Sequence, residues 1–334
     1  MKLSVVMCTY NGAKYIKEQL DSIINQTTTI DEIIICDDGS TDDTIKIIER
    51  YNFQYPNLIQ LFQNTINLGS SKNFEKAVLL SGGDYVFFAD QDDVWKNDKV
   101  EKTICVFKEN PNADGVFSNG NLINDDSLQF TDYTLWDIIY FPEQQLSKPI
   151  DVFEIIKLKG NIVTGATLCV RSNPLKKLVP FPNSKHILHD GWIALALSYN
   201  KKLYYSNENL FSYRIHAQQQ IGGSNIKMIK KGNVVINQIL NISTPKTFND
   251  FRTLMKTHLN NLKQFKDIED FCKNKDFFDL QELISFNEQK IFEYRNYLKT
   301  KFFFKYTYKI YKKRFRQRKR RFLKKYFNYK SKRS

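Results

Sequence analysis

Cysteine is present without pattern. The five cysteines (Cys8, Cys36, Cys105, Cys169, Cys272) are scattered, odd in number and never spaced as CxxC. That argues against a zinc site or a secreted disulfide scaffold and for reduced thiols in a cytosolic protein. No apolar run approaches the ~18 residues needed to cross a bilayer, so no membrane span is expected. The opening MKLSVVMCTYNG goes straight into a strand pattern and lacks the apolar core of a signal peptide. A GxxxxGK[ST] phosphate loop is missing, which excludes nucleotide triphosphatases of that type, and no nucleophilic triad has sequence support. Glycine ends at Gly232, after which Pro245 is the only proline. A long stretch nearly free of helix breakers predicts a helical C-terminal extension.

Acidic residues are absent from the C-terminal stretch while basic ones crowd there. The 334 residues are 42% hydrophobic, enough for one large core or two smaller ones, and carry a net charge of +14. Residues 301–334 hold 16 of the 50 Lys and Arg and no Asp or Glu. The remainder has 34 basic against 36 acidic side chains, a net of −2. A near-neutral body therefore carries a basic tail, and the two need separate explanations.

What the body does contain is alternation. Leu3–Cys8 reads as a strand, Ile16, Leu20, Ile23 and Ile24 recur at helical spacing, and Ile30–Cys36 is a second apolar run. The segment Ser40-Thr41-Asp42-Asp43 can cap a helix with Ile45, Ile47 and Ile48 on its apolar face. Leu58–Phe62, a helix over Asn73–Leu80 and a strand over Tyr85–Ala89 follow. Such alternation predicts an α/β fold with a Rossmann-like, mixed but mainly parallel sheet flanked by helices, and ligands at the carboxyl ends of the strands. Beyond residue 115 the pattern loosens. Val116–Ser118, Thr164–Val170, Lys202–Tyr205 and Phe211–Ile215 read as short strands, Asp190–Tyr199 as a helix, and Pro142 and Pro149 bracket a surface connection.

Three polar clusters fall at strand ends: Thr9–Gly12, Asp37–Ser40 and Asp90–Asp93. Asp90 and Asp92, two apart, face one pocket if the chain there is extended. Paired carboxylates are unfavourable without a cation between them, and a hard divalent ion that clamps a diphosphate is the usual partner. The plain alternative is a solvated acidic turn before a helix starting near Trp95, with Trp95 itself a packing residue.

The ordered set VVMCTYNG, IICDDGSTDDT, FADQDDVW and HDGW resembles family 2 glycosyltransferases of the GT-A fold. It is similar to bacterial rhamnosyltransferase-like enzymes of cell-surface polysaccharide synthesis, and the likeness covers roughly residues 1–220. The resemblance implies that Thr9, Tyr10 and Asn11 line the nucleotide pocket and that Asp38 binds base or ribose; an Asx turn is the bland role for Asp37 and Asp38. Lys72 is implied as a contact to donor phosphate or nucleotide, against an exposed lysine at a helix start. Asp90 and Asp92 match the family's DxD motif for Mn2+ or Mg2+, with Asp93 as a substitute and Asp90 also a donor-sugar contact. Asp190 matches the catalytic base, its alternative being an N-cap. His189 is read as structural or acceptor-facing. Thr164-Gly165-Ala166 falls where the family places an acceptor loop, or begins a close-packed strand. His216 falls where many GT-A enzymes bring a late histidine to metal or diphosphate, against a core role, and Gly222 and Gly223 could hinge a closing loop.

In the tail, Phe304, Tyr308, Tyr311, Phe315, Phe322 and Tyr326 recur at helical spacing among the cations. That pattern suits a helix lying on an anionic bilayer. Nucleic acid is the rival partner for basic and aromatic residues, but the body has no RNA-binding signature and it is not the expected one.

The expectation is a cytoplasmic enzyme held at the inner face of the membrane. It is an inverting, metal-dependent hexosyltransferase that moves sugar from a nucleotide-diphosphate-sugar (dTDP-rhamnose or a UDP-sugar) to a glycan or lipid-linked acceptor in capsule or lipopolysaccharide assembly. Its expected units are residues 1–222 for the transferase domain (1–115 for nucleotide, 116–222 for acceptor and catalysis), 223–300 for the helical extension and 301–334 for the tail. The alternatives are a non-catalytic assembly scaffold and a sugar nucleotidyltransferase, although CTYNGAKY is not the latter's glycine-rich first turn.

Overall fold

A computed structural model describes residues 1–139, 141, 151–217, 245–273, 277–303 and 305–307. Strands and helices alternate through the first part: β1 (Leu3–Thr9), α1 (Ile16–Ile24), β2 (Glu32–Asp37), α2 (Thr44–Gln54), β3 (Ile59–Gln63), α3 (Ser70–Leu80) and β4 (Tyr85–Ala89). There follow β5 (Val94–Trp95), α4 (Lys99–Glu109), β6 (Gly115–Ile123), β7 (Gln129–Thr134), α5 (Leu135–Ile139), α6 (Val152–Lys159), β8 (Cys169–Arg171), α7 (Ser172–Lys177), α8 (His189–Tyr199) and β9 (Leu203–Arg214). One mixed sheet runs β3-β2-β1-β4-β8-β6-β9-β5, with β7 paired to β6. Its β3-β2-β1-β4 half is all parallel, whereas β8 pairs antiparallel with both β4 and β6.

Side-chain alternation divides the interior into two layers. Val5, Met7, Phe87 and Ala89 face α1 and α4 through Ile16, Leu20, Ile23, Val100, Ile104 and Phe107. Val6, Val86 and Phe88 face α3 and α8 through Phe74, Val78, Trp192 and Ile193. Strands buried on both faces read as continuous apolar runs, which is why β1, β2 and β4 were legible. Parallel register then fixes the site: Thr9 lies beside Asp37 and Met7 beside Ala89, so all three polar clusters emerge at one edge.

The later described chain includes the helices Phe248–Asp267, Glu269–Cys272 and Leu280–Lys301. The first has a capping box between Thr247 and Asp250. Phe265, Ile268, Leu280, Leu283 and Ile284 join the same apolar layer as Trp192, so the extension packs on the body.

Several expectations need correction. Trp95 does not open a helix. It pairs with Phe211 of β9 in a two-residue strand and packs on Phe87, and α4 begins at Lys99. The two short strands expected at 202–205 and 211–215 are one strand. Bulges opposite Ser118–Gly120 absorb its polar centre Ser206–Asn209, a device that period-two alternation does not show. Thr164–Val170 is a 3-10 turn at Gly165–Thr167 followed by the short β8. Asp43 precedes α2 without a side-chain cap; Asp42 accepts instead from the Thr44 backbone N–H at 3.0 Å. Pro142, Pro149, Gly222 and Gly223, with tail residues Phe304, Tyr308, Tyr311, Phe315, Phe322 and Tyr326, lie outside the described residues.

Candidate active site

A cleft of about 930 Å3 opens along the carboxyl edge of β1, β2 and β4. Thr9, Tyr10, Asn11, Asp38, Asp90, Asp92, Thr164, Gly165, His189, Asp190 and His216 all line it. Residues 150 and more apart in sequence thus meet in one cavity.

The nucleotide end is built from turns held by side-chain oxygens. Asp37 accepts from the Gly39 and Ser40 backbone N–H groups and from the Thr9 and Ser40 hydroxyls. It is the Asx turn, and Gly39 at φ +88° supplies the left-handed step the turn needs. Asp38 is buried and turned to the next loop, accepting from Leu68 N at 2.7 Å, Gly69 N at 2.8 Å and Asn64 Nδ2 at 2.9 Å. Tyr10 stays largely exposed at the mouth, its backbone clamped from both sides by the Gln91 amide.

The acidic segment is a turn rather than extended chain, yet Asp90 and Asp92 both line the cleft. Burial, and then the charges of Asp92 and Asp190, push the Asp90 carboxyl up to about 7. His216 approaches from the end of β9, its Nε2 2.8 Å from Asp92 Oδ2. Asp93 does not line the cleft. It is buried, accepts from Arg214 N at 3.0 Å, and leaves Oδ2 without a hydrogen-bond partner. It is therefore not the substitute for Asp92 that sequence allowed.

Among the described residues, no three His, Cys, Asp or Glu side chains form a ready-made cation cage. The chemistry of the set still fits one. Asp92 and His216 offer oxygen and nitrogen within reach of each other, and Asp90 is a nearby carboxylate whose proton affinity is raised by burial and by the charges of Asp92 and Asp190. Mg2+ and Mn2+ ordinarily keep one or two protein carboxylates and complete their shell with phosphate and water, so an incomplete protein cage suits them.

Asp190 stands in the first turn of α8, whose N-cap is Leu188, so it is not the N-cap. Its Oδ1 accepts from Gly191 N at 2.6 Å. Burial dominates and raises its pKa to about 6, backbone N–H groups of Gly191 and Gly165 opposing. His189 stacks on Phe74 with ring centroids 4.2 Å apart, neither ring nitrogen has a partner, and burial lowers its pKa to about 3. It is a neutral wall of the cleft. Gly165 is glycine because of it: a Cβ there would lie 2.9 Å from His189 Nε2.

Lys72 is the implied site residue that the fold does not bring to the cleft wall. Its ammonium is bound to Glu75 Oε2 and the Phe181 carbonyl, each at 2.8 Å, which ties α3 to the segment before α8. Residues that sequence reasoning passed over include Asn73, Asn161 and Tyr213, all on the wall. Lys99 was also passed over. It is buried, bound to the Ala166 carbonyl at 3.0 Å and packed over Trp95 and Phe211, joining the helix after the acidic turn to the Gly165 turn. A lysine inside an amphipathic helix pattern gave no signal of this.

The family model described as Glycosyl transferase family 2 matches residues 4–158. The dTDP-rhamnosyl transferase RfbG of Shigella flexneri is 30% identical over 230 residues, spanning 65% of this chain and 74% of that protein. An uncharacterized glycosyltransferase of Nostoc sp. is 32% identical over 221 residues, and this chain spans 65% of its length. Among solved structures, that of S. aureus TarS 1-349 in complex with UDP-GlcNAc superposes with a TM-score of 0.50 at 16% identity, over 88% of this chain and 89% of that one. That likeness supports the fold, which is GT-A: a mixed, mostly parallel sheet between helices with a helical region after it. On the sequence matches, the chain belongs to glycosyltransferase family 2.

Proposed function

We propose that this enzyme moves one sugar from a nucleoside-diphosphate-sugar to a hydroxyl of a growing surface glycan, inverting the anomeric carbon. The observation that carries the reading is that Asp190 shares one cleft with the Asp90–Asp92 turn and with the Thr9–Asn11 and Asp38 turns. Tyr10 and Asn11 would meet the nucleotide at the mouth, and Asp38 would shape the pocket through the Leu68–Gly69 loop it holds while keeping a carboxylate edge toward base or ribose. Asp92 and His216 would hold Mn2+ or Mg2+, with Asp90 beside them; such a cation neutralises the departing diphosphate.

Asp190 would take the proton of the acceptor hydroxyl as that oxygen bonds to the anomeric carbon and the carbon–phosphate oxygen bond breaks. Attack from the face opposite the leaving group inverts the centre. A carboxylate with a pKa of about 6 is a stronger base than an exposed one and is still ionised at neutral pH. The neutral His189 ring and the Gly165 backbone would form the acceptor-side wall.

The Shigella relative's name makes dTDP-rhamnose the first donor to try, with UDP-sugars second. The basic, aromatic segment 301–334 would hold the enzyme on anionic lipid at the inner face of the membrane, near a lipid-linked acceptor. We keep the transferase domain at 1–222, the extension at 223–300 and the tail at 301–334.

The test is a panel of dTDP-, UDP- and GDP-sugars with Mn2+ or EDTA, read by thermal shift and slow donor hydrolysis. A Mn2+-dependent response to one donor class supports the reading. Absence of any response from the folded protein would sink it.

A further inference from the structure

We infer that Arg214 is the positioning residue that sets the spacing between Asp92 and His216, and so governs cation-dependent binding of the donor diphosphate without touching it. The inference rests on the reading of that pair given above.

Arg214 is fully buried and bridges three other segments. Its backbone N–H donates to Asp93 Oδ1 at 3.0 Å and its Nε to the Asp92 carbonyl at 2.7 Å, which fixes the acidic turn from two directions. Nη1 donates to the Asn124 carbonyl at 2.9 Å and the Ser127 hydroxyl at 2.9 Å, holding the β6–β7 turn. Nη2 reaches Glu18 of α1 at 2.6 Å, and the guanidinium lies 4.7 Å from the Tyr15 ring centroid. Tyr15 in turn packs on the His216 ring at 4.9 Å. Because Arg214 sits two residues before His216 on the same strand end, one side chain sets the acidic turn, the imidazole and the aromatic wall behind it.

The planar fork explains why arginine is required. Three nitrogens donate in three fixed directions, whereas a lysine ammonium is a point donor on a flexible stem and cannot span Asp92, Asn124 and Glu18 together. Charge alone would not reproduce the geometry.

The experiment compares the full-length wild type with Arg214→Lys, Arg214→Met and Ile48→Ala, the last being a core variant on α2 outside the cleft lining. Binding of Mn2+ in the presence of dTDP, UDP or GDP is read by electron paramagnetic resonance, and nucleotide binding in EDTA by calorimetry. Loss of a group that orients a metal ligand weakens metal binding by about 10–100-fold. Both Arg214 variants are expected to show that loss while nucleotide binding in EDTA changes by less than about threefold, and Ile48→Ala should leave Mn2+ binding intact at a similar fall in Tm. Mn2+ affinity in Arg214→Lys equal to wild type would overturn the inference, as would a loss shared by Ile48→Ala. Failure of the wild type itself to bind Mn2+ with any nucleotide would overturn the cation reading and the inference together. If Arg214→Met does not fold, Arg214→Lys and Glu18→Gln, which removes only the Nη2 acceptor charge, carry the comparison.

Discussion

His216 Nε2 lies 2.8 Å from Asp92 Oδ2, so the last described strand of the sheet reaches back to the turn after β4. Both side chains are mostly buried, at 7% and 16% exposure, and both line the cleft. An imidazole bound to a carboxylate can exchange that contact for a shared cation. His216→Ala should therefore weaken nucleotide diphosphate binding in Mn2+ by about tenfold or more and leave binding in EDTA nearly unchanged. Paired calorimetric titrations measure this, and equal losses in the two media would exclude a cation role for His216.

The acid limb of the rate profile should belong to the carboxylate cluster. Asp190 must be ionised to accept a proton, and burial holds it at about 6, with Asp90 at about 7 in the same cluster. Hence kcat/KM should fall as pH drops through that range. A bound cation favours the ionised carboxylates, so raising Mn2+ should move the limb to lower pH. A flat profile across the range would contradict both assignments.

The same two carboxylates make the ligand-free protein less stable than it could be. Their folded pKa values lie above the unfolded ones, so the folded state binds protons more tightly. The cost of burying the ionised forms is full above the folded values and vanishes below about 4. Asp90→Asn should accordingly raise Tm at pH 8, by roughly 2 °C or more, and do little in acid. A thermal melt series with pH checks the sign, and a gain confined to acid would refute it.

Gly165 is a packing requirement beside the base. Gly165→Ala would push a methyl group to 2.9 Å from His189 Nε2, on a ring already stacked on Phe74 and Phe88. Overpacking of this kind costs about 1–3 kcal/mol. Since His189 adjoins Asp190, kcat should fall more than donor affinity does. Wild-type kcat in this variant would show that the Gly165 turn is not coupled to the base.

Much of the parallel half was legible because β1, β2 and β4 are buried on both faces and read as plain apolar runs, with polar turns at their ends. The placement of Asp38, Asp90 and Asp92 at one edge followed from that alternation alone. Lys72 was misplaced because nothing local marks which way a lysine at a helix start will turn; Glu75 and the Phe181 carbonyl decide it. Asp93 was offered as a substitute for Asp92 because FADQDDVW also reads as a shifted DD pair, whereas the turn buries Asp93 against Arg214. Arg214 itself carried no sequence signal, since its hydrogen-bond partners lie 87 to 196 residues away. The bulged centre of β9 was read as a break because Ser206–Asn209 is polar, and only the register with β6 shows one strand.

The most direct test of the central claim is Asp190→Asn. The amide keeps the size of the side chain and cannot accept the acceptor's proton. The account predicts that nucleotide-sugar and Mn2+ bind as in wild type while transfer to acceptor falls by about 100-fold or more. Transfer at an undiminished rate with intact donor binding would show that Asp190 is not the base and that the chemistry of this cleft lies elsewhere.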